Sequence, residues 1–509
     1  MKREIASMKK QGVLFSENYI DDRLTCDNKV YAFDALIDTL DISSITDTYG
    51  EEGGKLYSPR DMLSILLFAY SKGITSSYKI AHEVETNLEF IYLAGGHQIS
   101  RRALCEFRRR NVLYLNEFFS SIIQQAIEVE LIDLNQFAID GSKFSADASK
   151  AKTKTKLKWE KRQVSIEKSV DKFLNSLEKN DIAEEGLEEE DKEKFKRAMA
   201  KIALLKNKKK LSKPERREAD HIERIIKEDA KITDILEAKP DLGDNENINL
   251  TDIDSRLMKN GTGEYLQGYN GQIITSNQFI VVADLVQDEN DQALLLPMID
   301  KLEKEIPEGT EYKFLADAGY NRGENLKLLD TKKHIDPYIS MNDRREDAKT
   351  DLEKAVGKDS FDYDENEDHY VCPTGEVLDF LHTKTSKGKD FNVYRADNSK
   401  CQLCLGRHHC LTTKEDLKAG AKIIQDNGTL VFRKEMREKM ELKTSREIYA
   451  DRAVEPEPVF GQIKHNLGIR QLKVEGFMYL KGEFLLMCAA MNLSKLIKFK
   501  NNKRLLKMS

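Results

Sequence analysis

A chain of 509 residues exceeds what one small domain needs, and units of ~100–200 residues would divide it into about two to four. With 40% hydrophobic and 33% charged residues it fits a globular protein; its longest apolar runs, such as Phe279 to Leu285 and Phe484 to Ala490, stop well short of the ~20 residues a bilayer helix requires, and the polar stretch after Met1-Lys2-Arg3 predicts no signal peptide. The 82 Lys and Arg against 88 Asp and Glu leave a net charge of −6, so any nucleic-acid partner has to be sought in local charge, while seven cysteines, four of them crowded between Cys372 and Cys410, suggest a reducing cytoplasm and a metal rather than a disulfide scaffold.

From about Ala32 to Ile132 the pattern predicts successive short amphipathic helices with no convincing strand. Ser58 is a candidate N-cap with Pro59 at the first helical position, and the apolar run Met62 to Tyr70 predicts a buried helix. Helices over roughly Ser77–Glu85 and Ser100–Asn111 follow, separated by Gly95-Gly96. The second carries Arg101, Arg102, Arg108, Arg109 and Arg110. Helix, glycine-containing turn and basic helix form the outline of a helix-turn-helix DNA reader; the alternative is a solvated charged face.

At Asn135 the pattern changes. Phe137-Ala138-Ile139-Asp140-Gly141 predicts a short strand ending in a carboxylate. The charged stretch from Lys150 to about Lys239, with Phe173, Leu177, Ile202 and Leu205 at helical spacing, predicts a helical hairpin or coiled coil inserted into a domain; a mobile linker is the alternative. Strands return at Tyr269 to Ser276 and Phe279 to Leu285, joined at Asn277 by a tight hairpin turn. A helix over Asp291–Glu305 leads to the strand Tyr312–Ala316, again ending in a carboxylate, Asp317; another helix and the strand Asp336–Ile339 follow. Strand, two-stranded hairpin, helix, strand, helix, strand is the order of a ribonuclease H-like α/β fold. From about Leu430 the chain is helical again, to a basic tail over Lys495 to Lys507.

Asp140 and Asp317 each close an apolar strand, where a mixed sheet presents side chains to a ligand. Oxygen donors in that position suit magnesium, and two such ions can activate a water or hydroxyl and stabilise a leaving oxygen on phosphate. Capping or turn formation is the competing role for either aspartate alone. A third carboxylate lies in the stretch Tyr449 to Lys464. Pro456 and Pro458 reset the backbone, and a helix from Glu457 towards Gly468 would project Glu457 and Lys464, seven apart, from one face. Val459, Phe460, Ile463 and Leu467 would hold that helix against the sheet.

The stretches SPRDMLSILLFAYSKG, HQISRRALCEFRRRN, AIDGSKFSADAS, TDIDSRLMKNGTGEYLQGYNGQ, FLADAGYNRGEN and RAVEPEPVFGQIKHNLGIR together make the chain resemble, over nearly its whole length, the DDE transposases of bacterial insertion sequences, most closely the group numbered eleven eighty-two. The resemblance implies an all-α DNA-binding domain over residues 1–130. It implies a ribonuclease H-like catalytic domain over 131–509, with a charged helical insertion at 150–250 and a cysteine-cluster insertion at 345–430. It makes Asp140, Asp317 and Glu457 the ligands of two Mg2+ or Mn2+ ions, with Tyr449, Arg452 and Lys464 as the accompanying Tyr, Arg and Lys. The family has three residues between that Arg and Glu, whereas Arg452 and Glu457 have four between them, which leaves Glu455 in contention; the six residues between Glu457 and Lys464 fit and favour Glu457.

Cys372-Pro-Thr-Gly, Cys401-x2-Cys404 and Cys410 match the halves of a structural zinc site, with His408 or His409 as a substitute ligand; four unmetallated thiols are the alternative. The functional expectation is a cytoplasmic, nucleoid-associated transposase, a homodimer on double-stranded DNA, that binds terminal inverted repeats, cuts at the element ends and joins the 3′ ends to target DNA. A nuclease that cleaves without joining and a captured, non-catalytic DNA-binding protein are the competing readings.

Overall fold

The computed structural model describes residues 5–6, 23–25, 27–49, 56–178, 191–207, 213–260, 262–341, 356–386, 388–474 and 476–506. The chain divides into two compact units. One comprises residues 1–142, 270–470 and 478–509, the other residues 143–269 and 471–477. Among the described residues no helix is long and apolar enough to cross a membrane.

The first unit begins with helices. Ser58 caps Pro59–Ser71 by accepting from the Asp61 amide, and every residue from Met62 to Tyr70 is buried, as a helix apolar on all sides must be. Ser77–Thr86 and Arg101–Asn111 follow, the latter capped by Ser100 and burying Leu104, Phe107 and Asn111. Two features depart from the sequence expectation. Asn87 caps an additional helix, Leu88–Leu93, so the link before the basic helix is longer than the short turn of the expected motif. A two-residue strand, Leu56–Tyr57, also pairs in parallel with Ile5–Ala6, so this region is not wholly helical.

The central sheet takes its strands in the order predicted. β1 (Gln136–Ala146), β2 (Tyr265–Ser276), β3 (Phe279–Val286), β4 (Tyr312–Ala316) and β5 (Ile335–Ile339) lie in the spatial order β3-β2-β1-β4-β5. β2 and β3 are antiparallel; β1 with β4 and β4 with β5 are parallel. The β2–β3 turn is two residues, Asn277 and Gln278, with φ of 51° and 58°, the left-handed pair that matches the twist of the strands it joins. Helix Leu295–Glu305 connects β3 to β4, and Gly323–Thr331 connects β4 to β5. β3 is an edge strand, and Asn492 of the last helix, Phe477–Leu506, satisfies both backbone groups of Ile280 there, accepting at 3.0 Å and donating at 2.7 Å. Lys507, the last residue of the expected basic tail, lies outside the described residues.

After β5 comes a five-stranded antiparallel sheet, Asp362–Asp364, His369–Val371, Val377–Ser386, Lys389–Ala396 and Ile423–Asp426, with its own core of Phe361, Tyr370, Leu378, Tyr394 and Ile424. Cys372, Cys401 and Cys410 pack against that core.

The second unit contains the charged stretch. It forms three helices, Lys156–Glu178, Asp191–Asn207 and Lys213–Ala238, around Trp159, Ile166, Val170, Phe173, Ile202 and Ile222. A packed core excludes a bare linker. The side chains of Leu177 and Leu205 lie outside the described residues.

Candidate active site

Phe137, Ala138 and Ile139 are fully buried, and β1 delivers Asp140 at the end of this run. β4 is buried over Phe314–Ala316 and delivers Asp317 just beyond its last residue. Asp317 also caps the turn Ala318–Tyr320, its Oδ1 accepting from the Gly319 amide at 2.8 Å. The capping role weighed against catalysis is thus real, and it fixes one oxygen while Oδ2 faces inward. Glu457 lies in the first turn of Pro456–Gly461.

All three carboxylates converge on one guanidinium. Arg452 Nη2 lies 3.1 Å from Asp140 Oδ1 and 3.7 Å from Asp317 Oδ2, and Nη1 lies 3.2 Å from Glu457 Oε1. The Arg452 side chain is only 8% exposed, and among the described residues its Nε is buried without a hydrogen-bond partner. Burial opposes the arginine's charge, but Asp140, Tyr449, Asp317 and Glu457 more than offset that and keep it protonated. Burial pushes the Asp140 carboxyl up to about 6; Arg452 works against the shift, while Asp317 and Asp291 add to it. Three bare carboxylates would repel one another. Here the guanidinium supplies the opposing charge, so the acids are gathered rather than loosely ordered.

Lys464 reaches the same strand by another route. The helix does not continue regularly to Gly468, as its spacing suggested: Gln462–Asn466 is a π turn, with the Leu467 amide donating to the Gln462 carbonyl five residues back. Two regular α turns therefore do not relate Glu457 to Lys464. The Lys464 ammonium donates to Ser142 Oγ at 2.6 Å, and Ser142, two residues beyond Asp140, shares its face of β1. Tyr449 packs with Met440 and Ile448 against Ala138, Leu315 and Tyr338, under the strands that carry the two aspartates. Glu455 turns elsewhere: its Oε2 accepts from the Gln278 amide of the β2–β3 turn at 2.7 Å.

A fourth carboxylate, Asp291, belongs to this neighbourhood, although its local sequence reads only as a helix start. Asp291 Oδ1 accepts from Asn270 Nδ2 at 2.7 Å and from Gln272 Nε2 at 2.8 Å. Gln272 in turn accepts from the Tyr320 hydroxyl. Burial, then the nearby Asp291, Asp140 and Asp317, hold that phenol protonated and so able to donate. The available signal was the pair of amides, Asn270 and Gln272, on one face of a strand that runs into the apolar Ile273-Ile274.

The five arginines separate into two groups. Arg108 donates to Tyr70 OH at 2.9 Å, to the Thr75 carbonyl at 3.3 Å and to Ser77 Oγ, with Glu483 as a further countercharge. Arg110 donates to the Thr48 carbonyl and lies 4.4 Å over the Tyr49 ring. Arg108 is half-buried and committed within the protein, because a guanidinium drawn into a helix bundle must satisfy its donors there, whereas Arg110 makes its contacts at the surface. Arg101, Arg102, Arg109 and Arg110 are exposed, Arg109 lying 5.7 Å over the Tyr479 ring.

Cys372, Cys401, Cys404 and Cys410 are free thiols that line one cavity of about 70 Å3. The turn after Cys372 aims the Glu376 amide at its sulfur, 3.2 Å away, with the Thr374 hydroxyl at 3.0 Å. Burial pushes the Cys410 thiol up to about 11, with Lys422 opposing and Cys401 adding to the shift. His408 and His409 are not among the residues lining this cavity. Among the described residues no group of three or more His, Cys, Asp or Glu side chains is set to hold a metal ion, here or at Arg452.

Residues 371–497 match the family model described as a transposase DDE domain, and residues 18–110 match the model described as a transposase domain, DUF772. The first match includes Tyr449, Arg452, Glu457, Lys464 and the four cysteines; the second includes the basic helix as far as Arg110. No curated protein and no solved structure matches the chain.

Proposed function

We propose that this chain, two of whose segments match transposase domain models, is a DNA transposase of the insertion-sequence type built on a ribonuclease H-like core. It binds the terminal inverted repeats of its element, cuts at their ends and joins the 3′ ends to target DNA. The observation that carries the reading is the convergence of Asp140, Asp317 and Glu457, from three separate elements, on Arg452. The sheet order β3-β2-β1-β4-β5, with an antiparallel hairpin on one side of β1 and parallel strands on the other, supports the core assignment.

The acids fit a divalent cation in donor chemistry, being three hard oxygen donors, and as arranged here they are gathered around the Arg452 charge and not yet set around an ion. Asp140, Asp317 and Glu457 are the residues that would hold Mg2+ or Mn2+, two ions in this reading. When bound, such ions supply charge neutralisation at the phosphate and a more acidic water. The protein's own groups do the rest. Arg452 sits where a phosphate oxygen would meet the carboxylates, and Lys464, braced on Ser142, offers a second cation on the Asp140 face of β1. Tyr449 fixes the chain segment that carries Arg452. Arg101, Arg102 and Arg109, exposed cations of the basic helix that donate to no carbonyl among the described residues, are the groups assigned to DNA contact.

The four thiols form a structural zinc site in this reading, remote in role from the chemistry. A small cavity lined by four cysteines, one of them receiving an amide hydrogen bond, supports it. Zinc in protein purified without chelator would bear this out; freely reactive thiols and no zinc would remove it. A homodimer on DNA in the cytoplasm completes the proposal.

The deciding experiment uses a duplex carrying the element's own ends. Asp140→Asn, Asp317→Asn and Glu457→Gln should each abolish cleavage while gel-shift binding of the ends persists. Transfer of a pre-cut 3′ end into a second duplex separates a transposase from a nuclease. Wild-type protein that neither cleaves nor transfers, or an Asp140→Asn variant as active as wild type, would overturn the proposal.

A further inference from the structure

Behind the three carboxylates stands a buried polar cluster for which the proposed chemistry has so far found no use. Asn270 and Gln272 lie two residues apart on β2, both fully buried, with Gln272 Nε2 also donating to Asn270 Oδ1 at 3.1 Å. Together they hold Asp291 Oδ1, and through the Tyr320 hydroxyl Gln272 is tied to the turn that begins at Asp317. A cluster of four polar side chains, two of them on β2 and two, Asp291 and Tyr320, ionisable, forgoes apolar packing, and it persists only when its members are mutually satisfied.

Two glycines show what the cluster presses against. A Cβ at Gly141 would fall 2.1 Å from Gln272 Nε2 and 2.9 Å from Asp291 Oδ1, so the cluster abuts the backbone next to Asp140 with no room for a side chain. A Cβ at Gly319 would fall 3.7 Å from Asp291 Oδ2, and it is the Gly319 amide that holds Asp317 Oδ1. One carboxylate thus abuts the backbone segments that present both aspartates.

We propose that Asp291, tethered by Gln272, is a positioning residue of the catalytic centre, fixing the backbone beside Asp140 and the turn that aims Asp317, and strengthening the hold of that centre on a divalent cation. The inference rests on the assignment of Asp140 and Asp317 as the residues that hold the cation. Groups that orient metal ligands from behind typically contribute ~10–100-fold in metal affinity when removed, which sets the size of the effect.

The test is titration of the full-length protein with Mn2+, followed by electron paramagnetic resonance, without DNA. Asp291→Asn should raise the Mn2+ dissociation constant by about tenfold or more, and Gln272→Met should move it in the same direction, with the fold retained and end binding close to wild type. Half-maximal cleavage by Asp291→Asn should need correspondingly more Mg2+, with the plateau rate largely regained at saturation. If Asp291→Asn does not fold, Gln272→Met decides. Wild-type Mn2+ affinity in the folded variants would overturn the inference. An Asp140→Asn control separates the two failures: if it too binds Mn2+ like wild type, the assignment of the triad is wrong, and not only the role of Asp291.

Discussion

Replacing Arg452 with Gln removes the one cation shared by Asp140, Asp317 and Glu457. The pair with Asp140 dominates, because both side chains are largely buried, at 8% and 18% exposure, whereas Glu457 is 53% exposed and its pair is screened by water. At an effective dielectric of ~20, charges ~3–4 Å apart attract by roughly 4–5 kcal/mol before desolvation, and removing one member of a buried pair costs ~3–5 kcal/mol. We expect a loss of that order at pH 8, seen as a fall of roughly 5–10 °C in the thermal midpoint. The penalty depends on pH in a defined direction. The folded-state pKa of Asp140, about 6, lies above its ordinary 3.8, so this group's contribution to stability is fully present below about 3.8 and is lost as pH rises through about 6. Without the guanidinium to offset burial, the carboxyl rises further and the loss at high pH grows. The gap between wild type and Arg452→Gln should therefore be wide at pH 8, narrow towards pH 5, and narrow also on adding Mg2+ at pH 8. Arg452→Lys, which keeps the charge but not the fork, should fall between. A gap of constant size from pH 5 to 8, indifferent to Mg2+, would refute the role of Arg452 as counter-ion to the acids.

Arg108→Ala should lower stability by ~2–4 kcal/mol, from the lost bonds to Tyr70 and Thr75 and the loss of a countercharge to the buried Glu483, while the folded fraction binds element ends with an unchanged salt slope. Replacing Arg101 and Arg102 together should do the reverse: the melting curve stays put, and the slope of log affinity against log salt shrinks by roughly 2, as for two lost phosphate contacts. Glu455→Ala should cost no more than about 1 kcal/mol, since the Gln278 amide it frees is exposed to water, and leave cleavage near wild type, whereas Glu457→Ala abolishes cleavage; the opposite pattern in a cleavage assay would show that the third acid is Glu455.

Much of the scaffold was legible in the sequence, because strands and helices are written in short-range patterns. Phe137-Ala138-Ile139 before Asp140 and Tyr312–Ala316 before Asp317 are apolar runs that only a buried strand accommodates, and Asn277 between two such runs signals a left-handed turn. The candidate acids and Arg452 were nameable from local motifs and a family resemblance. What those residues do to one another was not, since Arg452 and Asp140 stand 312 positions apart and their charges meet only after the sheet is built. Arg108 and Arg101 look alike on a basic helix; the hydroxyl of Tyr70, 38 residues away, is what commits the first to the interior. The π turn at Gln462–Asn466 re-aims Lys464 against the spacing that had placed it two regular turns from Glu457. Asp291 reads locally as a helix start and gains its place only when β2 sets Asn270 and Gln272 against it. Hydrophobic periodicity is a property of neighbours in the chain and specifies elements, whereas the partner of a buried charge is chosen by the packing of elements distant in sequence, and that choice belongs to the tertiary structure.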